Sequence, residues 1–394
     1  MYKKIIGSIL MLLGTSVGAA MLALPIVTAH ESVAMSFFLL FFSWLMMTVG
    51  AYSLLEVNLW LKSDTNMVSM ASHTIGRFGK VLTWVIYLLL LYSLICAYLS
   101  GLSDILQNLL LNFHIAIPIW FSIFLVLGIF GTIVYRGIHS VDILNRGLMF
   151  LKLVAFFILV VAMSQHVNFT LPFEGDYEWH NSVLMVMLTS FGYAIIIPSL
   201  RNYLNNDKVL KKVVLIGSLI PLLLYAIWIF FIQGIISRTG EHGLINILNS
   251  ENTNSMLMNA MTLKMNTALV AEMVKLFISI CAATSFLGVS VCLTDFIADG
   301  LSIQKKSKSG IIVYLLAFLP PLFIVLISPG IFVTALHYAG IWCLLLLIII
   351  PLMMLYWGRY KKGFMQNKLL PGKIFLLGSF FVSIYLLVVN ILQV

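Results

Sequence analysis

The sequence predicts an all-α integral membrane protein. Of its 394 residues, 61% are hydrophobic and only 9% are charged, whereas an average soluble domain carries about 25% charged residues. Long apolar stretches recur along the chain, and a helix of about 20 such residues crosses a hydrocarbon core roughly 30 Å thick. These observations exclude a water-soluble globule and favour a chain that crosses the bilayer many times.

Apolar windows predict eleven spans, which we number in chain order. They cover 5–28, 33–60, 81–107, 117–135, 148–165, 181–200, 212–236, 266–299, 310–327, 331–357 and 373–392. The connections are short, so residues 1–394 are expected to form a single membrane domain. The longest connection, 237–265, is polar and rich in asparagine, and it could cover the outer mouth of the protein.

The basic residues predict the orientation, because lysine and arginine are enriched on the cytoplasmic side of membranes. With a cytoplasmic N-terminus, only Arg238, Lys264 and Lys275 of the 23 lysines and arginines fall toward the other side, which carries an acidic connection at 174–178. Eleven spans then leave the C-terminus in the periplasm. The asymmetry also explains the net charge of +9 without a nucleic acid partner.

Side-chain chemistry argues against an enzyme. The cysteines lie in apolar runs, and none forms a C-x-x-C pair; they are Cys96, Cys281, Cys292 and Cys343. This pattern favours small buried residues over disulfides or a metal site. Because the spans also lack a carboxylate pair, a metal-ligand cluster and a nucleophile with its base, we expect no catalysis and no cofactor.

Spans 1 and 6 share a short motif. Residues 15–18 read T-S-V-G and are followed by Pro25, while residues 189–192 read T-S-F-G and are followed by Pro198. Span 6 comes five spans after span 1, an odd number, so the two cross the membrane in opposite directions. Matched motifs in antiparallel spans are the pattern expected of inverted-topology repeats.

The repeats would cover about 5–165 and 181–357, with 373–392 as an extra helix. Glycine and small hydroxyl residues allow a helix to unwind at mid-membrane, and the freed backbone groups then need partners. The N-terminal end of a half-helix suits a carboxylate, and unwound carbonyls suit an ammonium. An α-amino acid carries both charges. The alternative is that these glycines only allow helices to pack closely.

The segments that carry these motifs resemble a known family. Residues 14–25 (GTSVGAAMLALP), 189–193 (TSFGY), 283–288 (ATSFLG) and 337–340 (HYAG) are similar to signature segments of the hydroxy and aromatic amino acid permeases, within the amino acid/polyamine/organocation superfamily. The resemblance covers nearly the whole chain and points to the bacterial tyrosine-specific permeases. It implies a five-plus-five inverted repeat like that of the bacterial leucine transporter. It also implies a protein of the bacterial inner membrane that imports an aromatic amino acid with protons.

The chain departs from the family pattern at two places. Ala20 stands where the family usually has glycine, and Ala194, Ile195 and Ile196 replace a histidine and a small or polar pair. We therefore expect the site beneath span 6 to be more apolar than is usual in the family.

The unwound segments supply the candidate substrate site, with residues 14–18 for the carboxylate and carbonyls of 189–192 for the ammonium. Phe191 and Tyr193 are aromatic walls or a gate, or they only fill the core. Tyr98 and Ser100 of span 3 line the pocket, although Tyr98 could instead anchor at the interface. The candidate substrate-binding residues are Gly14, Thr15, Ser16, Val17, Gly18, Tyr98, Ser100, Thr189, Ser190, Phe191, Gly192, Tyr193 and Ser285.

The coupling ion has two candidates. The resemblance implies that Thr284 and Ser285 in span 8 help to bind sodium against span 1, or else form interhelical hydrogen bonds. Lys152 lies in span 5, where some proton-coupled relatives place a lysine whose ammonium replaces the ion. A buried lysine could load and release a proton, but Lys152 could also extend to the cytoplasmic surface near Arg146.

Three further ionisable residues remain open to two interpretations. Glu56 and Asp295 lie near the cytoplasmic ends of spans 2 and 8 and either close an inner gate by pairing with basic residues or are solvated. His337 in span 10 is either sensitive to protons or structural.

Taken with the resemblance, these residues predict a secondary transporter that imports an aromatic amino acid, with tyrosine preferred, by proton symport and alternating access. The partners are the amino acid, a coupling proton or sodium ion and the lipid bilayer. The alternatives are a serine or threonine carrier, a sodium-coupled symporter and, in a different class, an ion channel.

Overall fold

The computed structural model describes residues 2–63, 65–177, 180–264, 268–305, 310–364 and 368–392. Three of the charged residues used above to predict the orientation in the membrane lie outside these ranges, namely Glu178, Lys306 and Lys308. The regular secondary structure of the described residues is helical, with no β-strand among them.

The described helices are labelled α1 to α17. In chain order they are α1 Tyr2–Ser16, α2 Ala19–Val27, α3 Val33–Trp60, α4 Met67–Thr74, α5 Arg77–Asn112, α6 Ile119–Tyr135, α7 Ile138–Met163, α8 Asn181–Ser190, α9 Ile197–Leu204, α10 Asp207–Ile235, α11 Leu244–Leu248, α12 Thr253–Lys264, α13 Ala268–Leu301, α14 Gly310–Ile327, α15 Phe332–Leu344, α16 Ile350–Tyr360 and α17 Lys373–Leu392. Two 3₁₀ turns, Leu171–Phe173 and Gly192–Ile196, and a π-helical turn, Leu345–Ile349, lie among them.

Nine helical segments of the described chain are long and apolar enough to cross a membrane, and the bent pair α1 and α2 makes a tenth if it counts as one span. Helix α6 is apolar but has only 17 residues. Predicted spans 33–60, 310–327 and 373–392 coincide with α3, α14 and α17. A multi-pass helical membrane protein is therefore confirmed, and the number eleven stays a prediction.

Span 1 is interrupted at the motif. Helix α1 ends at Ser16, α2 begins at Ala19, and the two are bent by 53°. Gly18 between them is extended, with φ −154° and ψ −151°, so the helical hydrogen-bond pattern stops there. All nine residues of α2 are buried. The backbone N–H and C=O groups that the break leaves without helical partners therefore lie inside the protein.

Span 6 is interrupted at the same motif. Helix α8 ends at Ser190, and the 3₁₀ turn Gly192–Ile196 leads into α9. Pro198 occupies the first turn of α9, where the missing N–H of proline costs no helical hydrogen bond. Asn205, with a left-handed φ of 49°, follows the end of α9. Both predicted interruptions are therefore present in the structure.

The long helices surround the two interrupted ones. Helix α15 packs against α5 and α8, and α13 packs against α5 and α7. Helix α2 contacts α8, α10 and α13, while α1 contacts α10 and the 3₁₀ turn Gly192–Ile196. The two breaks consequently face each other across the middle of the bundle.

Part of the polar connection 237–265 is helical and is anchored to α5. The carboxylate of Asp104 accepts hydrogen bonds from the backbone N–H of Ser255, at 2.9 Å, and from its hydroxyl, at 2.5 Å. Ser255 lies in the first turn of α12, and Asp104 is buried. A carboxylate at that position satisfies N–H groups that have no partner within the helix, so a residue of α5 caps α12.

Glu56 forms a buried ion pair with Arg359. The guanidinium of Arg359 holds both carboxylate oxygens, with Nη2–Oε2 at 2.6 Å and Nε–Oε1 at 2.7 Å. Glu56 also accepts from the backbone N–H of Leu369, 2.7 Å away. The pair thus joins α3, α16 and the segment before α17. The interpretation of Glu56 as solvated is wrong, whereas Asp295 is largely exposed and pairs with Lys305 at 2.6 Å.

The cysteine prediction holds for three residues and is wrong for the fourth. Cys96, Cys281 and Cys343 are buried, whereas Cys292 is exposed on α13. Apolar sequence around Cys292 therefore marks a surface of the helix and not its packed side.

Candidate functional site

The two breaks meet at one side chain. The hydroxyl of Tyr225 on α10 lies 2.6 Å from the carbonyl oxygen of Ser16 and 2.9 Å from that of Ser190, and it is the donor to these oxygens. Ser16 is the last residue of α1 and Ser190 the last of α8. Tyr225 is fully buried, and Phe191 packs edge-on against its ring at 5.3 Å. The predicted segments are thus brought together, with the partially negative ends of two helices directed at one point.

Lys152 holds the other side of the first break. Its ammonium donates to the carbonyl oxygen of Val17, 2.6 Å away, and to the hydroxyl of Thr284, 3.3 Å away. Only 1% of Lys152 is exposed, so the alternative in which the side chain extends to the membrane surface is wrong. Helices α7 and α13 pack side by side, and this packing brings Lys152 and Thr284 to the break.

Ser285 supports the start of α2. Its hydroxyl accepts from the backbone N–H of Ala19 at 2.7 Å and donates to the carbonyl of Cys281 at 2.9 Å. A Cβ on Gly18 would overlap this hydroxyl. A side chain at position 18 would therefore displace the Ser285 hydroxyl, so the constraint comes from the approach of α13 and not from a left-handed backbone. The predicted neighbours Thr284 and Ser285 both contact the break, one through Lys152 and one directly.

Three of the predicted residues lie away from the junction. Gly14 and Thr15 are exposed within the wound part of α1, and the hydroxyl of Thr15 donates to its own helix at Leu12. Ser100 donates to the carbonyl of Pro329. Of residues 14–18, only 16–18 lie at the break itself, and the assignment of this segment to the substrate stays a prediction.

The remaining predicted residues surround the junction. Thr189 donates to the carbonyls of Met185 and Leu336, at 3.0 and 3.1 Å. The Tyr193 hydroxyl is 3.0 Å from that of Thr48 on α3, so it fixes the 3₁₀ turn to α3. Tyr98 is buried on α5. Val17 and Gly192 belong to the two interruptions themselves.

A second polar cluster lies at the Glu31 end of the bundle. The buried carboxylate of Glu31 accepts from the ring Nδ1 of His180 at 2.8 Å. His180, His30 and His337 line a cavity of about 290 Å³. Burial lowers the pKa of Arg238 from its ordinary value, and the nearby carboxylates of Glu174, Glu31 and Asp176 oppose this shift.

Tyr225 is the functional candidate that sequence reasoning missed. It is one tyrosine in a long apolar span, and it is 209 residues from Ser16 and 35 from Ser190. A tyrosine in such a span is the available signal, because a buried tyrosine O–H usually requires a partner. The sequence does not identify that partner.

Interrupted helices that expose backbone groups within a membrane bundle are typical of solute carriers. Fold and site together define a multi-pass membrane transport protein. The tryptophan/tyrosine permease family matches residues 1–392, so the chain belongs to this family of aromatic amino acid permeases.

Individual relatives agree over nearly their whole length. The tyrosine-specific transport system 1 of Haemophilus influenzae is 31% identical over 383 residues, which cover 95% of this chain and 93% of the relative. The tyrosine-specific transport system 2 of the same organism is 29% identical, over 99% of this chain and 97% of the relative. A tryptophan-specific transport protein of Shigella flexneri is 26% identical, over 94% and 90%. These relatives are transport proteins and not enzymes.

Proposed function

We propose that the protein imports an aromatic amino acid, with tyrosine as the preferred substrate, by proton symport and alternating access around the two breaks. The observation that carries the proposal is the shared contact of the Ser16 and Ser190 carbonyls with one hydroxyl. These carbonyls suit an ammonium, and the N-terminal end of α2, which begins three residues after Ser16, suits a carboxylate. An α-amino acid presents both groups on one carbon.

Tyrosine is proposed because two relatives that match almost the whole chain are named tyrosine-specific transport systems. The apolar composition of the 3₁₀ turn supports a large apolar side chain. Ala194 is fully buried there, and Ile195 and Ile196 are partly buried. Phe191 offers aromatic surface at the junction, and Tyr98 is a further buried aromatic residue that we assign to the pocket. A tryptophan substrate would use the same surfaces.

The proposed architecture is a five-plus-five inverted repeat with one extra helix, in the bacterial inner membrane. It would have eleven spans, a cytoplasmic N-terminus and a periplasmic C-terminus. The equivalent positions of Ser16 and Ser190 in their motifs support the repeat, because both serines end a helix and both carbonyls contact Tyr225. The distribution of lysine and arginine supports the orientation.

Proton coupling is proposed through Lys152. Its ammonium lies between the carbonyl of Val17 and the hydroxyl of Thr284, in the space where a sodium ion held by Thr284 and Ser285 would contact the same break. A proton carried down a potential of 100 mV is worth about 2.3 kcal/mol, which can concentrate a solute roughly fiftyfold at tenfold per 1.4 kcal/mol.

Purified protein in liposomes tests these proposals. We expect labelled tyrosine to accumulate when a proton gradient is imposed and not when a sodium gradient is imposed. Accumulation with sodium alone would reject proton coupling. Accumulation of labelled serine that neither tyrosine nor tryptophan inhibits, without accumulation of labelled tyrosine, would identify a hydroxy amino acid carrier. Unitary currents without saturable exchange would identify a channel.

A further inference from the structure

The junction at Tyr225 contains more acceptors than donors. The carbonyl oxygens of Ser16 and Ser190 both approach the Tyr225 hydroxyl, and all three residues are at most 3% exposed. A hydroxyl has a single proton and can donate a full hydrogen bond to one oxygen at a time. When the proton faces one carbonyl oxygen, the other carbonyl oxygen receives no full hydrogen bond from Tyr225.

A second polar atom at the same break lacks a partner. The hydroxyl oxygen of Ser16 is buried and makes no hydrogen bond with any residue that the structure describes. Buried polar atoms of this kind cost free energy unless something binds them. The Ser16 hydroxyl and the two carbonyls therefore form a small region with unused hydrogen-bonding capacity, between the C-terminal ends of α1 and α8.

The chemistry of the Tyr225 contact matches that of a substrate ammonium. An ammonium carries three N–H donors, so it can satisfy both carbonyls at once, and its positive charge suits two helix C-termini. Resting on the function proposed above, we infer that the Tyr225 hydroxyl occupies the ammonium position of the site when no amino acid is bound, and that the incoming ammonium replaces it there. Tyr225 is thus a positioning residue that keeps the two breaks together between transport cycles.

This exchange predicts an unusual tolerance in the wild-type protein. A buried site that hydrogen-bonds a substrate group usually rejects an analogue without that group by about 10⁴-fold or more, because its own polar atoms are left unpaired. Here an analogue without the amino group would leave the Tyr225 hydroxyl bound to the two carbonyl oxygens, so these oxygens would keep their donor. We expect 3-(4-hydroxyphenyl)propionate to bind less than about a hundredfold more weakly than L-tyrosine.

Removal of the hydroxyl should abolish that tolerance. In Tyr225→Phe the ring and its contact with Phe191 remain, but the carbonyls have no donor unless the ligand brings one. The carbonyls lack a donor in the free variant as well as in its complex with the propionate, so affinity for the propionate should stay within about threefold of the wild type. L-tyrosine brings the missing donor and no longer displaces a hydroxyl, so it should bind roughly tenfold to a hundredfold more tightly than it binds the wild type.

The experiment measures binding of L-tyrosine and 3-(4-hydroxyphenyl)propionate, and of L-tryptophan and indole-3-propionate, to the full chain in nanodiscs. Tyr52→Phe is the matched control, because the Tyr52 hydroxyl also donates to a backbone carbonyl of α10, that of Lys211 at 2.9 Å. The Tyr52→Phe variant should prefer the amino acid over the propionate as strongly as the wild type does. An equal loss of affinity for both ligands in Tyr225→Phe would overturn the inference and would show that the Tyr225 hydroxyl has a purely structural role in the wild type.

The wild type alone decides the question if Tyr225→Phe does not fold. Rejection of the propionate by about 10⁴-fold or more in the wild type would show that no side chain replaces the ammonium. A wild type that binds neither tyrosine nor tryptophan would overturn the proposed function and this inference together, whereas binding with an unchanged preference in the variant would overturn the inference alone.

Discussion

The ammonium of Lys152 lies 2.6 Å from the carbonyl oxygen of Val17. A charge that is almost completely buried thereby binds a backbone group that the break in span 1 has freed. Loss of the proton leaves a neutral amine, whose hydrogen bond to this carbonyl is weaker than the charge-assisted one, and return of the proton restores the stronger bond. The proton state of one side chain is therefore linked to the contact between α7 and the start of the broken segment.

Lys152→Gln should eliminate proton-driven accumulation. The glutamine amide can still donate to Val17, but it cannot carry a proton across the membrane, so we expect steady-state accumulation of labelled tyrosine to fall at least about tenfold, given that 100 mV supplies ~2.3 kcal/mol per charge. Exchange of internal for external tyrosine should continue. Lys275→Gln is the control, since Lys275 pairs on α13 with the exposed Glu272. Full accumulation by Lys152→Gln would contradict the coupling proposal.

Substitution of Gly18 should abolish transport in a protein that still inserts. The Cβ of Gly18→Ala would displace the hydroxyl of Ser285 from the N–H of Ala19, and an unpaired buried donor costs about 1–3 kcal/mol. Gly18→Leu would in addition fill the place proposed for the carboxylate. Uptake in liposomes and melting temperature report the two effects. Gly288→Ala on the same helix as Ser285 meets nothing within 4 Å and should be neutral.

Glu56→Gln should lower stability more than any loss of a surface ion pair. It would leave the buried guanidinium of Arg359 without its counter-charge, at a cost of about 3–5 kcal/mol, seen as a lower melting temperature in detergent. The double variant Glu56→Gln, Arg359→Met should recover part of the loss. Asp295→Asn breaks the exposed pair with Lys305 and should change stability by about 0–1 kcal/mol. Equal effects of the two single substitutions would show that the buried pair is not a stabilising junction.

Asp104→Ala should loosen the connection 237–265. The substitution removes the cap of α12, worth about 0.5–2 kcal/mol, and limited proteolysis within the connection should become faster. Asp104→Asn retains one acceptor oxygen and should lie between the alanine variant and the wild type. Cleavage at the wild-type rate in Asp104→Ala would mean that other contacts hold α12.

The sequence was sufficient for the parts of the fold that depend on local pattern. Uninterrupted apolar windows predicted α3, α14 and α17 at their observed bounds. The repeated motif predicted both interruptions, because glycine and proline act on the backbone near their own position. Helix α12 was predicted only as a polar connection, since its cap comes from Asp104, 151 residues away.

The candidate site was predicted less completely, because its side chains meet only after the helices have packed. Lys152 lies six residues after Arg146, and this spacing allowed a surface position as readily as the buried one observed. Tyr225 and its two carbonyls belong to three helices. Thr15 belongs to the 14–18 motif and Ser100 precedes Gly101, but their hydroxyls bond to Leu12 and Pro329. Distance in sequence carries none of this information.

The π-helical turn Leu345–Ile349 sets the direction in which α16 presents its side chains. A π turn holds one residue more than the α-helical turn it replaces, and each residue of an α-helix advances the facing direction by roughly 100°. Without that additional residue, Arg359 would be rotated away from Glu56 by more than a quarter of a revolution. The neutralisation of Glu56 by Arg359 therefore depends on one leucine or isoleucine that carries no charge itself.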